Sequence, residues 1–153
     1  LINGSRLIKD LLESNWTAGN TASRTPIFKE YKDYKRANGF DNSDYILTYN
    51  RVGNESPSAI GNVSRNVVNR VVVDLRTNLS DDQANLIERE VKRIIRTNVN
   101  YIVPGTMSHS TEGQQVIIEV NTTTPFSNTE NSNLFMNYRR IIELTLTSPN
   151  EAI

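Results

Sequence analysis

The sequence predicts an α+β fold: a mostly antiparallel or mixed sheet, with a short N-terminal helix and one long amphipathic helix packed on one face. Three observations predict it. Residues 80–96 join a helix-capping signature to an apolar stripe of helical period. Residues 67–75 form a β-branched run whose apolar and charged positions alternate. Residues 115–121 and 138–147 alternate in the same way, as strands do in a sheet with one buried face. The order reads α–β–β–β–α–β–β–β in a single domain, residues 1–153, whose ends (1–4 and 148–153) are expected to be flexible.

The first helix is expected to start at Ser5 as N-cap, with Leu7, Ile8, Leu11 and Leu12 as its apolar stripe. Residues 17–25 are polar and contain Gly19, and read as a loop. Residues 27–35, opened by Pro26, mix Ile27, Phe28, Tyr31 and Tyr34 with charges and fit either a strand or an irregular arm; their period does not decide. Asn38-Gly39 marks a turn, and residues 45–50 are a strand rich in aromatic and β-branched side chains. Residues 53–61, with Asn54, Ser56, Pro57 and Ser58, read as a loop or long hairpin tip.

In the next strand Val71, Val73 and Leu75 share one face, with Arg70, Asp74 and Arg76 on the other. Ser80-Asp81-Asp82-Gln83 then caps the long helix. Its core face is Ala84, Ile87, Val91, Ile94 and Ile95, and Glu88 and Lys92 stand at a favourable i,i+4 spacing. Residues 101–103 end at Pro104-Gly105, followed by a polar loop that holds His109. Val116, Ile118 and Val120 mark one face of the next strand. Residues 122–133 read as a polar loop around Pro125, and the closing strand opposes Ile142, Leu144 and Leu146 to Ile141, Glu143 and Thr145.

Lys+Arg and Asp+Glu are equal at 17 each, so the chain lacks the basic excess of a general nucleic-acid binder. It contains no cysteine, which removes disulfides and thiolate chemistry. No apolar run approaches the ~18 residues that span a bilayer.

Candidate chemistry is sparse. His109 is the only histidine and has no nucleophile elbow near it, so no zinc site or hydrolytic triad assembles from it. Asp41-Asn42-Ser43-Asp44 lacks the glycine and distal glutamate of a calcium loop and reads as a turn. Asp74, Glu119 and Glu143 are expected as cross-strand partners of Arg70, Arg76, Arg139 or Arg140 rather than as a catalytic pair. The seven glycines form no phosphate loop. No catalytic, cofactor-binding or metal-binding set emerges. Lys29, Tyr31, Lys32, Tyr34, Lys35 and Arg36 mix cations with rings, as a single-stranded nucleic-acid contact would. Glu30 and Asp33 interrupt them, which favours an amphipathic strand or a subunit contact. The candidate contact residues are therefore Lys29, Tyr31, Tyr34, Arg36, Arg70, Arg76, Arg139 and Arg140.

The succession of these elements resembles the tail-terminator (tail-completion) proteins of tailed viruses. The resemblance is carried by the helix at 7–12, the strand Tyr45-Ile46-Leu47-Thr48-Tyr49 and the Gly/Ser/Pro loop after it. It continues through Val71-Val72-Val73-Asp74-Leu75, the capped helix at 81–96 and Tyr138-Arg139-Arg140-Ile141-Ile142-Glu143-Leu144. It covers residues 5–147 and departs from a typical member in the charged 29–36 segment and the polar 122–133 stretch. It implies a non-enzymatic subunit of a homo-oligomeric ring, often of six copies, in the tail or neck of a virion assembled in the host cytoplasm. The ring's partners would be the tail tube protein and the neck or connector proteins, with DNA only as cargo through the lumen and no membrane. Each subunit would use two different patches in a head-to-tail contact, drawn from the loops at 53–64, 104–113 and 124–135.

Overall fold

A computed structural model describes residues 3–35, 42–51, 54–57, 64–102, 115–127 and 138–152. Two helices, α1 (Gly4–Asn15) and α2 (Asp81–Thr97), lie against a seven-stranded mixed sheet. The strands are β1 (Ile27–Glu30), β2 (Tyr45–Asn50), β3 (Asn54–Pro57), β4 (Ser64–Thr77), β5 (Asn100–Ile102), β6 (Gln115–Ser127) and β7 (Tyr138–Ala152). Their order is β1-β2-β4-β7-β6-β5. Only β1–β2 is parallel, and β3 pairs with β4 beyond the end of β2. The α+β class and the sequence of elements agree with expectation, with β3 as one addition.

The period-2 pattern has the structural meaning expected of it. Val71, Val73 and Leu75 of β4, Ile142, Leu144 and Leu146 of β7, and Val116 and Ile118 of β6 face the helices and are buried. Leu7, Ile8, Leu11 and Leu12 of α1 meet them, with Ala84, Ile87, Val91, Ile94 and Ile95 of α2. Each large aliphatic side chain so enclosed contributes about 1.5–3 kcal/mol. In α2, Ser80 Oγ accepts from Gln83 N–H at 3.0 Å as its N-cap. Gln83 turns its own amide away, donating to Thr21 O and Asp44 Oδ2 at 3.0 Å each.

Several expectations need correction. Asn3, not Ser5, caps α1: its Oδ1 accepts from Arg6 N–H at 3.4 Å. Ser5 is buried in the first turn, and its hydroxyl donates to Glu30 at 2.9 Å while Thr48 Oγ1 donates to its carbonyl. Within 17–25, Ala18–Thr21 forms a 3-10 turn followed by left-handed Ala22 and Ser23. Residues 54–57, read as loop, form β3. Residues 122–127, also read as loop, continue β6 past a bulge at Asn121, because they stay in register with β7 from Thr122↔Glu143 to Ser127↔Tyr138. Among the described residues β5 pairs with β6 only over 115–117, so Pro125 lies on an edge of the described sheet, where a missing N–H is tolerated. Likewise β7 continues past Thr147, pairing with β4 as far as Ala152. Asn38-Gly39, Arg36 and His109 lie outside the described residues.

Candidate subunit-contact face

The face of the sheet away from the helices gathers six of the eight predicted contact residues: Lys29, Tyr31, Tyr34, Arg70, Arg76 and Arg139. In β1, Phe28 points to the core while Ile27 and Lys29 point outward and are exposed. After Glu30 a 3-10 turn, Tyr31–Asp33, settles the open question about residues 27–35: they are a short strand and then a turn. This turn brings Tyr31 edge-on to Tyr49 (centroids 5.7 Å apart) and Tyr34 edge-on to Tyr45 (5.3 Å). The Arg76 guanidinium stands over both Tyr31 and Tyr34, at 5.9 and 5.4 Å from their centroids.

Arg76 is held from its other side. Its Nη2 donates to Asp74 Oδ2 at 2.9 Å, and Arg139, its cross-strand partner on β7, donates to the same oxygen at 2.8 Å. Burial disfavours charge on Arg76, yet the hydrogen bond and charge of Asp74, helped by Tyr34 and Tyr31, outweigh it and raise its pKa above the ordinary value. The Arg–Asp–Arg group carries a net positive charge around a carboxylate that is only 2% exposed. Leu47 and Val72 share this face and are buried on it, outside the cluster that forms the main core. The second side of the sheet thus has a small core of its own, roofed by tyrosines.

Arg70 and Arg140 stand apart from this group in different ways. Arg70 lies on this face but exposed, one row beyond Val72. Arg140 lies on the helix face, where its Nη2 donates to Asp81 (2.6 Å) and Asn85 (3.0 Å) and its Nε stands 3.4 Å from Glu88. It ties α2 to β7 and is withdrawn from any contact surface. Of the three strand acids, Asp74 is taken by Arg76 and Arg139, while Glu143 is held by Arg51 and by Thr122 at 3.2 Å. Glu119 stands across the sheet at Thr145. The carboxylates are therefore distributed among different partners rather than paired.

Two buried acids tie down the N-terminal third. Asp44 accepts from Arg24 Nη2 (2.9 Å), Thr77 Oγ1 (2.7 Å) and Gln83, so this acid is a structural hub; Asp41 lies outside the described residues. Glu90 accepts from Thr17 N–H (2.8 Å), Asn20 Nδ2 (3.0 Å) and the Arg93 guanidinium (2.6 and 2.8 Å). Among the described residues no group of three acids or histidines could hold a metal ion. No described helix is long and apolar enough to cross a membrane.

The sequence did not single out Tyr45, Tyr49, Asp74, Arg51 and Glu143 as one surface. Strand parity holds the signal for all but Arg51, since residues two apart on β2, β4 and β7 must share a face. Compared with family models and with curated proteins, the chain finds no match.

Proposed function

We propose that this chain is a structural assembly subunit of a tailed virus, forming a ring that terminates the tail tube and joins it to the head-neck connector. The carrying observation is the outer face, where Ile27, Tyr31 and Tyr49 remain 37%, 48% and 36% exposed beside the Arg76–Asp74–Arg139 group. Tyrosine and arginine around a desolvated centre are the side chains that dominate protein–protein contacts. Among the described residues the sheet also ends in two unlike edges, β1 on one side and β5 with the run of β6 beyond it on the other. Unlike edges suit a head-to-tail contact that closes a ring, six subunits being the expected number. The resemblance in element order supports the viral tail as the setting and the tube and neck proteins as partners.

The test is the mass in solution by light scattering, with images of any large species. A defined ring that Ile27→Glu breaks into folded monomers is the expected result. A strict monomer, alone and with tube protein, would overturn the reading and favour a monomeric binding module for a peptide or single-stranded nucleic acid. Exposed Lys29, Lys32 and Lys35 favour that alternative. Against its nucleic-acid form, Tyr31 and Tyr34 already give ring faces to Arg76.

A further inference from the structure

The exposed side of α2 holds a feature that neither the core nor the outer face uses. Arg89, Lys92, Arg93 and Arg96 recur at spacings of three and four and therefore share one side of the helix. With Thr97 they line a groove of about 380 Å³ that contains no acid. Lys92 is paired with Glu88 at 3.1 Å and Arg93 with Glu90 at 2.6 Å. Arg89 and Arg96 are exposed, and no acid among the described residues pairs with either. Arg96 stands in the last turn, where the helix dipole favours a cation. Arg89 stands at mid-helix, out of the dipole's reach. In a chain with equal numbers of acids and bases, two guanidinium ions at a concave surface without a counter-charge among the described residues suit an external anion.

We propose that this groove binds the phosphodiester backbone of duplex nucleic acid. Four cations span about 10 Å of helix, enough for neighbouring phosphates along a strand. The lining holds no aromatic ring on which unpaired bases could stack and no apolar anchor that a protein partner would need. Contacts of this kind position a duplex without reading its sequence. The proposal does not depend on subunit number: a monomer binds weakly, and a ring multiplies the contact.

The experiment is fluorescence anisotropy of a labelled short duplex of arbitrary sequence, titrated with the full chain across a salt series. With about three phosphates neutralised, affinity should fall about 40-fold between 50 and 200 mM salt. In Arg89→Gln/Arg96→Gln the same salt change should cost only about three- to fourfold, because two phosphate contacts are gone. Both residues are exposed and without ion-pair partners among the described residues, so an unchanged melting temperature certifies the fold of that variant. The proposal fails if no binding is seen at low salt, or if the variant keeps the wild-type salt slope. It also fails if Lys29→Gln/Lys32→Gln abolishes binding while the helix variant does not. Inorganic phosphate binding as tightly as the duplex would mark a free-anion site, and tighter binding of poly-glutamate would mark an acidic protein surface; either result overturns it.

Discussion

Replacing Glu90 with glutamine should cost about 2–3 kcal/mol of folding stability. The Glu90 side chain is 1% exposed and receives four N–H groups. Oε1 accepts from Asn20 Nδ2 and Arg93 Nε, and Oε2 from Thr17 N–H and Arg93 Nη2. Whichever oxygen becomes an amide nitrogen, one donor from the 17–20 segment and one from Arg93 lose their acceptor. A hydrogen bond to a charged group is worth about 1.5–3 kcal/mol. Arg93 is 44% exposed and can turn to water, so its share is small and the total stays near the lower sum. Urea unfolding should show the midpoint falling with the m-value unchanged, and the melting temperature should drop by about 5–10 °C. The acid limb offers a second readout. Burial alone would raise the Glu90 pKa, but hydrogen bonds from Arg93, Asn20 and Thr17 and the charge of Arg93 bring it below the ordinary value. A carboxylate depressed in the folded state adds stability that is complete above its unfolded pKa of about 4.3 and is lost as pH falls through the folded value. The gap between wild type and variant should therefore close below about pH 4.3. A loss under about 0.5 kcal/mol at neutral pH, the range of ordinary surface changes, would refute the idea that Glu90 holds the 17–20 segment to α2.

Asp74→Asn should cost about 3 kcal/mol, because it leaves the guanidinium groups of Arg76 and Arg139 facing each other without their shared anion. Urea midpoints would measure it, and Asp74→Asn/Arg139→Met should recover part of the loss. Gly4→Ala should destabilise by about 1–3 kcal/mol despite alanine's better helix propensity. Its new Cβ would stand 2.7 Å from Val71 Cγ2, so α1 would have to lift from β4; differential scanning calorimetry would show the lowered melting temperature. Tyr34→Ala should remove the ring that covers Arg76 and meets Tyr45, changing near-ultraviolet circular dichroism while leaving the far-ultraviolet spectrum intact.

Where residues follow a strict period, the sequence was enough. The stripe of α2, the alternation of β7 and the buried side of β4 could be read directly, because burial on one face writes its own period into the chain. β3 was not legible. Asn54-Glu55-Ser56-Pro57 has no apolar alternation, and its strand state comes from pairing with β4. The continuation of β6 was hidden by polarity and by Pro125, although Thr122, Thr123 and Thr124 are β-branched and suited to a strand. Of the outer face, the sequence offered the residue types but not their meeting. Tyr31 reaches Arg76 only because the chain turns after β1, and Arg139 reaches Asp74 only because β4 and β7 pair in one register. Arg140 stood on the same candidate set as Arg139, yet neighbouring strand residues face opposite ways. Ile142 already fixed which face was inward, so that separation could have been read.

β7 is the middle of the sheet and the last of the described strands to be synthesised. One of its two partners, β4, was made long before it: Thr77 waits for Tyr138 and Ser64 for Ala152. Until residues 138–152 leave the ribosome, β4 and β6 each present a long unpaired edge, and the apolar sides of α1 and α2 have only part of a sheet to cover. Pairing over such distances in the chain makes folding slow. It also makes the nascent chain a substrate for chaperones and for premature association. In the proposed ring, the outer face would then be complete only after the central strand has closed, which would order folding before assembly.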